Sequence, residues 1–118
     1  MKKIYHLSNC GTCQRIIKEV GDTSDFDSIN IKENNISEKD LDFIAEQLGG
    51  YEAVFSKRAM KYRSMGLNEM DLKEADYKRY ILEEYTFLKR PVFIIGKDAF
   101  AGNSKKVVAA VKQRLADD

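Results

Sequence analysis

The chain has 118 residues, 43% of them hydrophobic, a size and composition suited to one domain with one ordinary core. Its 20 basic and 19 acidic side chains nearly cancel, so no strong field draws it directly to nucleic acid or to an anionic membrane. Met1-Lys2-Lys3-Ile4-Tyr5-His6-Leu7 is too short an apolar stretch for a secretory signal, and no segment approaches the roughly 18 apolar residues of a spanning helix, so a cytoplasmic protein is expected.

Lys3 to Leu7 has β-branched and aromatic residues and stops at Ser8-Asn9, which reads as a buried strand. Gly11 to Val20 carries Ile16, Ile17 and Val20 at helical spacing, with Gly21 as the stop. Phe26 to Ile31 reads as a second strand, giving a strand, helix, strand unit with a right-handed crossover and parallel pairing. Ser37-Glu38-Lys39-Asp40 has the form of a capping box ahead of Leu41, Ile44 and Leu48, and Gly49-Gly50 ends that helix. Between Tyr51 and Leu88, apolar residues such as Val54, Phe55, Tyr62, Leu72, Tyr77 and Ile81 predict two or three further helices.

Pro91, the only proline, opens the apolar run Val92 to Ile95, and Gly96-Lys97-Asp98 turns this strand into a short partner over Ala99 to Ala101. Ser104 caps a last amphipathic helix with Val107, Val108, Val111 and Leu115 on one face. No repeat or linker divides this order, so residues 1–118 are predicted to form a single α/β domain. The predicted fold is thioredoxin-like (glutaredoxin-like): a mixed four-stranded sheet flanked by helices, with a helical insert before the third strand.

Cys10 lies where the first strand gives way to the first helix, so its sulfur faces unpaired N–H groups and the positive end of the helix dipole. Such a site favours thiolate and makes Cys10 the candidate nucleophile. Cys13 is one helical turn on, on the same face, placed to close a disulfide with Cys10 or to attack an adduct formed on it. A zinc site needs about four ligands, against two cysteines and one histidine here, so no metal is expected. Two inert buried thiols are the remaining alternative, and the helix-start position argues against it. His6, in a strand among apolar neighbours, reads as a packed residue rather than a base. At Arg90-Pro91 spacing alone leaves two readings level: a cis step beside a substrate, or a proline opening a strand next to a solvated arginine.

With Asn9-Cys10-Gly11-Thr12-Cys13 at the first strand–helix junction and Leu88-Lys89-Arg90-Pro91-Val92 before the third strand, the chain resembles the arsenate reductase (ArsC)/Spx family over nearly its whole length. The resemblance implies that Cys10 is the nucleophile, Cys13 a resolving cysteine and Arg90 an oxyanion- or thiolate-binding arginine followed by cis-Pro91. Asn9, Gly11, Thr12 and Arg58 would then contact substrate, a small thiol or oxyanion. No cofactor would be bound, and glutathione, glutaredoxin or thioredoxin would be the reductant.

Two departures divide the family reading. Ser56 and Gly102 stand where the reductases carry further arginines, and those reductases have serine at the place of Cys13. Spx-type members share the C-x-x-C and an arginine matching Arg58. They are transcriptional regulators that bind the RNA polymerase alpha subunit through a Cys10–Cys13-type disulfide switch. A thiol-dependent oxidoreductase is therefore the leading expectation and a redox-sensing regulator the alternative.

Overall fold

In the computed structural model, which describes residues 1–117, alternation along β1 (Lys2–His6) sends Ile4 and Tyr5 to opposite faces of the sheet. The crossover helix α1 (Gly11–Glu19) returns the chain to β2 (Asp27–Asn30), which pairs parallel with β1. On the other side of β1, β3 (Val92–Ile95) runs antiparallel, and β4 (Asp98–Ala101) folds back on β3 through Gly96 and Lys97. The sheet order is β2-β1-β3-β4, mixed and four-stranded, as expected for the thioredoxin-like fold.

β1 begins and ends one residue earlier than its apolar run suggests. Leu7 leaves the ladder because its carbonyl accepts the Cys10 N–H at 2.9 Å and the Gln14 side-chain amide at 3.2 Å. β4 likewise gains Asp98, which pairs with Ile95 across the turn.

One face of the sheet packs Ile4, Phe93 and Ile95 against Ile16 and Val20 and against Val108 and Val111 of α5 (Lys105–Ala116). Phe26 meets Phe93 edge-on, ring centroids 6.3 Å apart. The other face packs Tyr5, Val92 and Ile94 against α2 (Glu38–Leu48) and the insert. Phe55 is the hub there. It stacks on Phe87 at 4.9 Å and meets Tyr77 and Tyr62 edge-on at 5.0 and 5.7 Å. Phe55 and Phe87, both fully buried, each contribute on the order of 1.5–3 kcal/mol by leaving water.

The insert holds two α-helices, α3 (Met60–Ser64) and α4 (Glu74–Glu83), with one 3-10 turn between them and one on either side. α3 is short because Gly66, at φ 74°, takes the left-handed conformation just past its end. Two backbone bonds then tie the insert to the approach to β3: Ser56 N–H donates to the Phe87 carbonyl at 2.7 Å, and Lys89 N–H to the Val54 carbonyl at 2.9 Å.

Ser37 and Ser104 act as N-caps, accepting from Asp40 N–H and Val107 N–H, each at 3.2 Å, and Gly49 ends α2 at φ 94°. The capping box expected at Ser37 is only half present. The Asp40 carboxylate turns instead to β1, accepting from the Tyr5 hydroxyl and from Lys3 Nζ at 2.9 Å. A cation and a buried phenol outcompete an exposed backbone N–H. Among the described residues no helix is long and apolar enough to cross a membrane.

Candidate active site

The β1–α1 turn places Cys10 at the N-cap of α1 in extended conformation, φ −98° and ψ 107°. Its carbonyl accepts the Gln14 N–H at 3.2 Å, so the sulfur stands over the first turn, facing the Cys13 N–H. Partial burial works against charge on Cys10, but the Cys13 N–H and thiol, joined by the Arg90 guanidinium, outweigh it and hold the Cys10 thiol below its ordinary value. Cys13 behaves oppositely. Burial is the main cause that pushes its thiol up to about 11, and the neighbouring Cys10 adds to the rise against the opposing Leu7 N–H and Arg90. Both cysteines are free thiols, Cys10 half-buried and Cys13 fully buried.

Arg90 is positioned from its own segment. Nη1 donates to the Thr86 and Leu88 carbonyls, each at 3.2 Å, which fixes the guanidinium plane beside Cys10. Arg90 Nε and Thr86 Oγ1 are buried with no hydrogen-bond partner among the described residues. The Arg90–Pro91 peptide bond is cis, and Pro91 is buried at the start of β3.

A cleft of about 890 Å³ opens in front of Cys10, a volume suited to a small-molecule ligand. Of the predicted site residues, Cys10, Thr12, Arg58 and Arg90 line it. Cys13 and Pro91 lie buried outside the lining, while Asn9 and Gly11 are exposed on the turn and also lie outside it. Ser56 and Gly102 are both in the wall. His6 is not. Its Nδ1 meets the Gln14 side-chain amide at 3.4 Å, and burial lowers its pKa, as suits a packed neutral imidazole. Among the described residues no group of three or more His, Cys, Asp or Glu side chains is placed to hold a metal ion.

The sequence reading missed several cleft residues. Lys57, Lys89, Glu52 and Glu74 all line it. Glu74, the first residue of α4, accepts the Tyr51 N–H at 2.6 Å and the Glu52 N–H at 3.2 Å, and Gly50 leaves room for its carboxylate. Lys57 pairs with Glu52 at 2.5 Å. Nothing local in the sequence announces this grouping, because Lys89 joins it where residues 87–89 meet 54–56 and Glu74 by reaching back to residues 51 and 52.

The ArsC family model matches residues 5–111, a span from β1 into α5 that includes both Cys10 and the Arg90–Pro91 step. The chain belongs to the ArsC family. No curated protein matches it significantly by sequence. Solved structures share the fold. Arsenate reductase from Vibrio cholerae superposes with a TM-score of 0.77 at 18% identity, covering 93% of this chain and 96% of that one. A protein from Staphylococcus aureus gives 0.72 at 21% identity, covering 93% and 97%. An arsenate reductase (ArsC) related protein from Brucella melitensis gives 0.65 at 18%, covering 92% of each. At these identities the likeness is one of fold.

Proposed function

We propose that this ArsC-family protein is a thiol-dependent oxidoreductase in which Cys10 is the attacking sulfur. The observation that carries the reading is the opposite tuning of two thiols one helical turn apart: Cys10 is held toward thiolate at an open cleft, and Cys13 is kept protonated behind it. The accessible sulfur is the one made nucleophilic.

With a disulfide substrate, the Cys10 thiolate attacks one sulfur and the other departs as thiolate, leaving a mixed disulfide. Cys13 then gives its proton to the departing thiolate and attacks the Cys10 sulfur, releasing the second thiolate and closing a Cys10–Cys13 disulfide. An external thiol can instead attack the mixed disulfide. Glutathione, glutaredoxin or thioredoxin would return the protein to its dithiol form. With arsenate, the Cys10 sulfur would displace one oxygen from arsenic as water. Thiol attack on that sulfur would then break the sulfur–arsenic bond, its electron pair leaving with arsenic as arsenite. Arg90 would steady the thiolate and the oxyanion in turn. Ser56 and Gly102 in the wall leave this oxyanion site with fewer guanidinium groups than the reductases carry, which favours disulfide over arsenate as substrate.

A redox-sensing regulator that binds the RNA polymerase alpha subunit is the second reading. The side-chain contact between the Cys10 and Cys13 sulfurs and the position of Arg58 on the cleft favour it. A coupled assay following NADPH oxidation tests the first. Arsenate or a disulfide is the substrate, glutathione–glutaredoxin or thioredoxin the reductant, and Cys10→Ser the control. Turnover lost in Cys10→Ser is the expected result; no turnover with any pairing would sink the enzyme and turn attention to polymerase binding.

A further inference from the structure

The cleft carries four cations, Lys57, Arg58, Lys89 and Arg90, against the carboxylates of Glu52 and Glu74. Most of these charges already have work. Arg90 is held by the Thr86 and Leu88 carbonyls and serves the Cys10 sulfur. Lys57 is paired with Glu52 at 2.5 Å, and both oxygens of Glu74 are taken by backbone N–H groups. Arg58 and Lys89 are different. Among the described residues neither side chain forms an ion pair or a side-chain hydrogen bond, although Lys89 acts at longer range on the Glu52 carboxylate, and both face the cleft that holds Cys10.

Their placement is not left to two free loops. The segment 54–56 that leads to Arg58 is tied to residues 87–89 by the Ser56 N–H to Phe87 carbonyl bond and the Lys89 N–H to Val54 carbonyl bond. Phe55 and Leu88 form an isolated bridge between the same segments, and both are fully buried. The two cations are thus brought to the cleft by one small, anchored unit. A cleft of about 890 Å³ also exceeds what a tetrahedral oxyanion alone would fill.

We infer that Arg58 and Lys89 form an anion anchor, separate from Arg90, which selects small disulfides carrying a carboxylate and holds them for attack by Cys10. The inference rests on Cys10 being the attacking sulfur. The step is an ordinary thiol–disulfide exchange: a bond forms between Cys10 Sγ and one substrate sulfur, and the other sulfur leaves as thiolate with the bonding pair. Cys10 is oxidised and the departing sulfur reduced, so no further reactant is needed for the first exchange. Binding at the anchor speeds encounter and lowers KM for anionic disulfides, and added salt screens the effect.

Stoichiometric thiol release separates the anchor from turnover. The reduced protein is mixed with 5,5′-dithiobis(2-nitrobenzoate), which bears a carboxylate on each half, and with the neutral 4,4′-dithiodipyridine. The rate constants are compared for wild type, Arg58→Lys, Arg58→Ala, Lys89→Ala and the double alanine variant. The ratio of anionic to neutral rate is expected to fall about tenfold in the double variant, to fall less in each single one, and to be largely kept in Arg58→Lys. High salt should lower the wild-type ratio and leave the double variant's nearly flat. A ratio that stays within about twofold across the variants, or both rates falling by one common factor, would overturn the anchor. Equal rates in wild type and Cys10→Ser would instead remove Cys10 as the attacking sulfur, a failure of the proposed function and not of the anchor alone.

Discussion

Under α1 and α5 the sheet is closed by aliphatic side chains and the Phe26–Phe93 pair, whereas under α2 and the insert it is closed by aromatic rings around Phe55 and by backbone bonds between residues 54–56 and 87–89. The first closure is non-directional packing, which holds the fold but specifies no opening. The second adds bonds with fixed direction, and the cleft forms at its margin. The cysteines repeat the contrast at short range: Cys13 is sealed in the packed interior, while Cys10, three residues away, is packed against the aromatic face and opens to the cleft.

Four experiments would break or sharpen this distinction. Phe55→Ala and Phe93→Ala should each cost about 3–5 kcal/mol in urea unfolding, since each empties a fully buried ring site. Only Phe55→Ala should also slow reaction of Cys10 with a neutral disulfide, because it loosens the wall that carries Lys89 and Arg90. Equal slowing in both variants would erase the difference between the faces. Next in size, native alkylation followed by peptide mapping should label Cys10 at least about a hundredfold faster than Cys13, given burial and a thiol pushed up to about 11. Comparable labelling would mean that Cys13 is not sealed.

Arg90→Ala should move the thiolate absorbance transition of Cys10 to higher pH and slow its alkylation at neutral pH about three- to tenfold. The sign follows from the removal of a cation that favours the charged form. An unmoved transition would assign the tuning of Cys10 to the helix terminus alone. Asp40→Asn is the smallest effect, about 1 kcal/mol or less. Burial opposes charge on Asp40, but Tyr5 and Lys3 hold its carboxyl below the ordinary carboxylate range. Its contribution is therefore present above the unfolded-state pKa and lost as pH falls through the native one. Wild type and variant should differ at neutral pH and converge in acid. A gap that stays constant down the acid range would show that the carboxylate's charge is not what joins α2 to β1.

What could be read in advance was local. Ser37 and Ser104 start helices and Gly49 ends one with chemistry contained within a few residues, and the stop at Ser8-Asn9 before a helical phase is enough to put Cys10 at an N-cap. The fold class followed from the order of those elements. What could not be read was decided at long range. Asp40 left its expected box for residues of β1, which no helix signal could announce. The insert's apolar residues gave no clean period because they converge on Phe55 from several short turns. Arg58 was singled out by family likeness, but Lys89 and Glu74 were not, since each reaches the cleft only when distant segments pair. The Arg90–Pro91 isomer was level on spacing, and it is cis.

A Cβ built on Gly50 would stand 2.5 Å from Glu74 Oε1. Glu74 occupies the Tyr51 and Glu52 amides, so this corner of the cleft is an anion seat already filled from within the chain. One methyl group at position 50 would crowd that carboxylate and would sit on a backbone of φ 144°, which side chains rarely adopt. The absent side chain therefore acts as clearance: it lets a carboxylate from α4 reach across and close the amides of a turn more than twenty residues earlier in the chain.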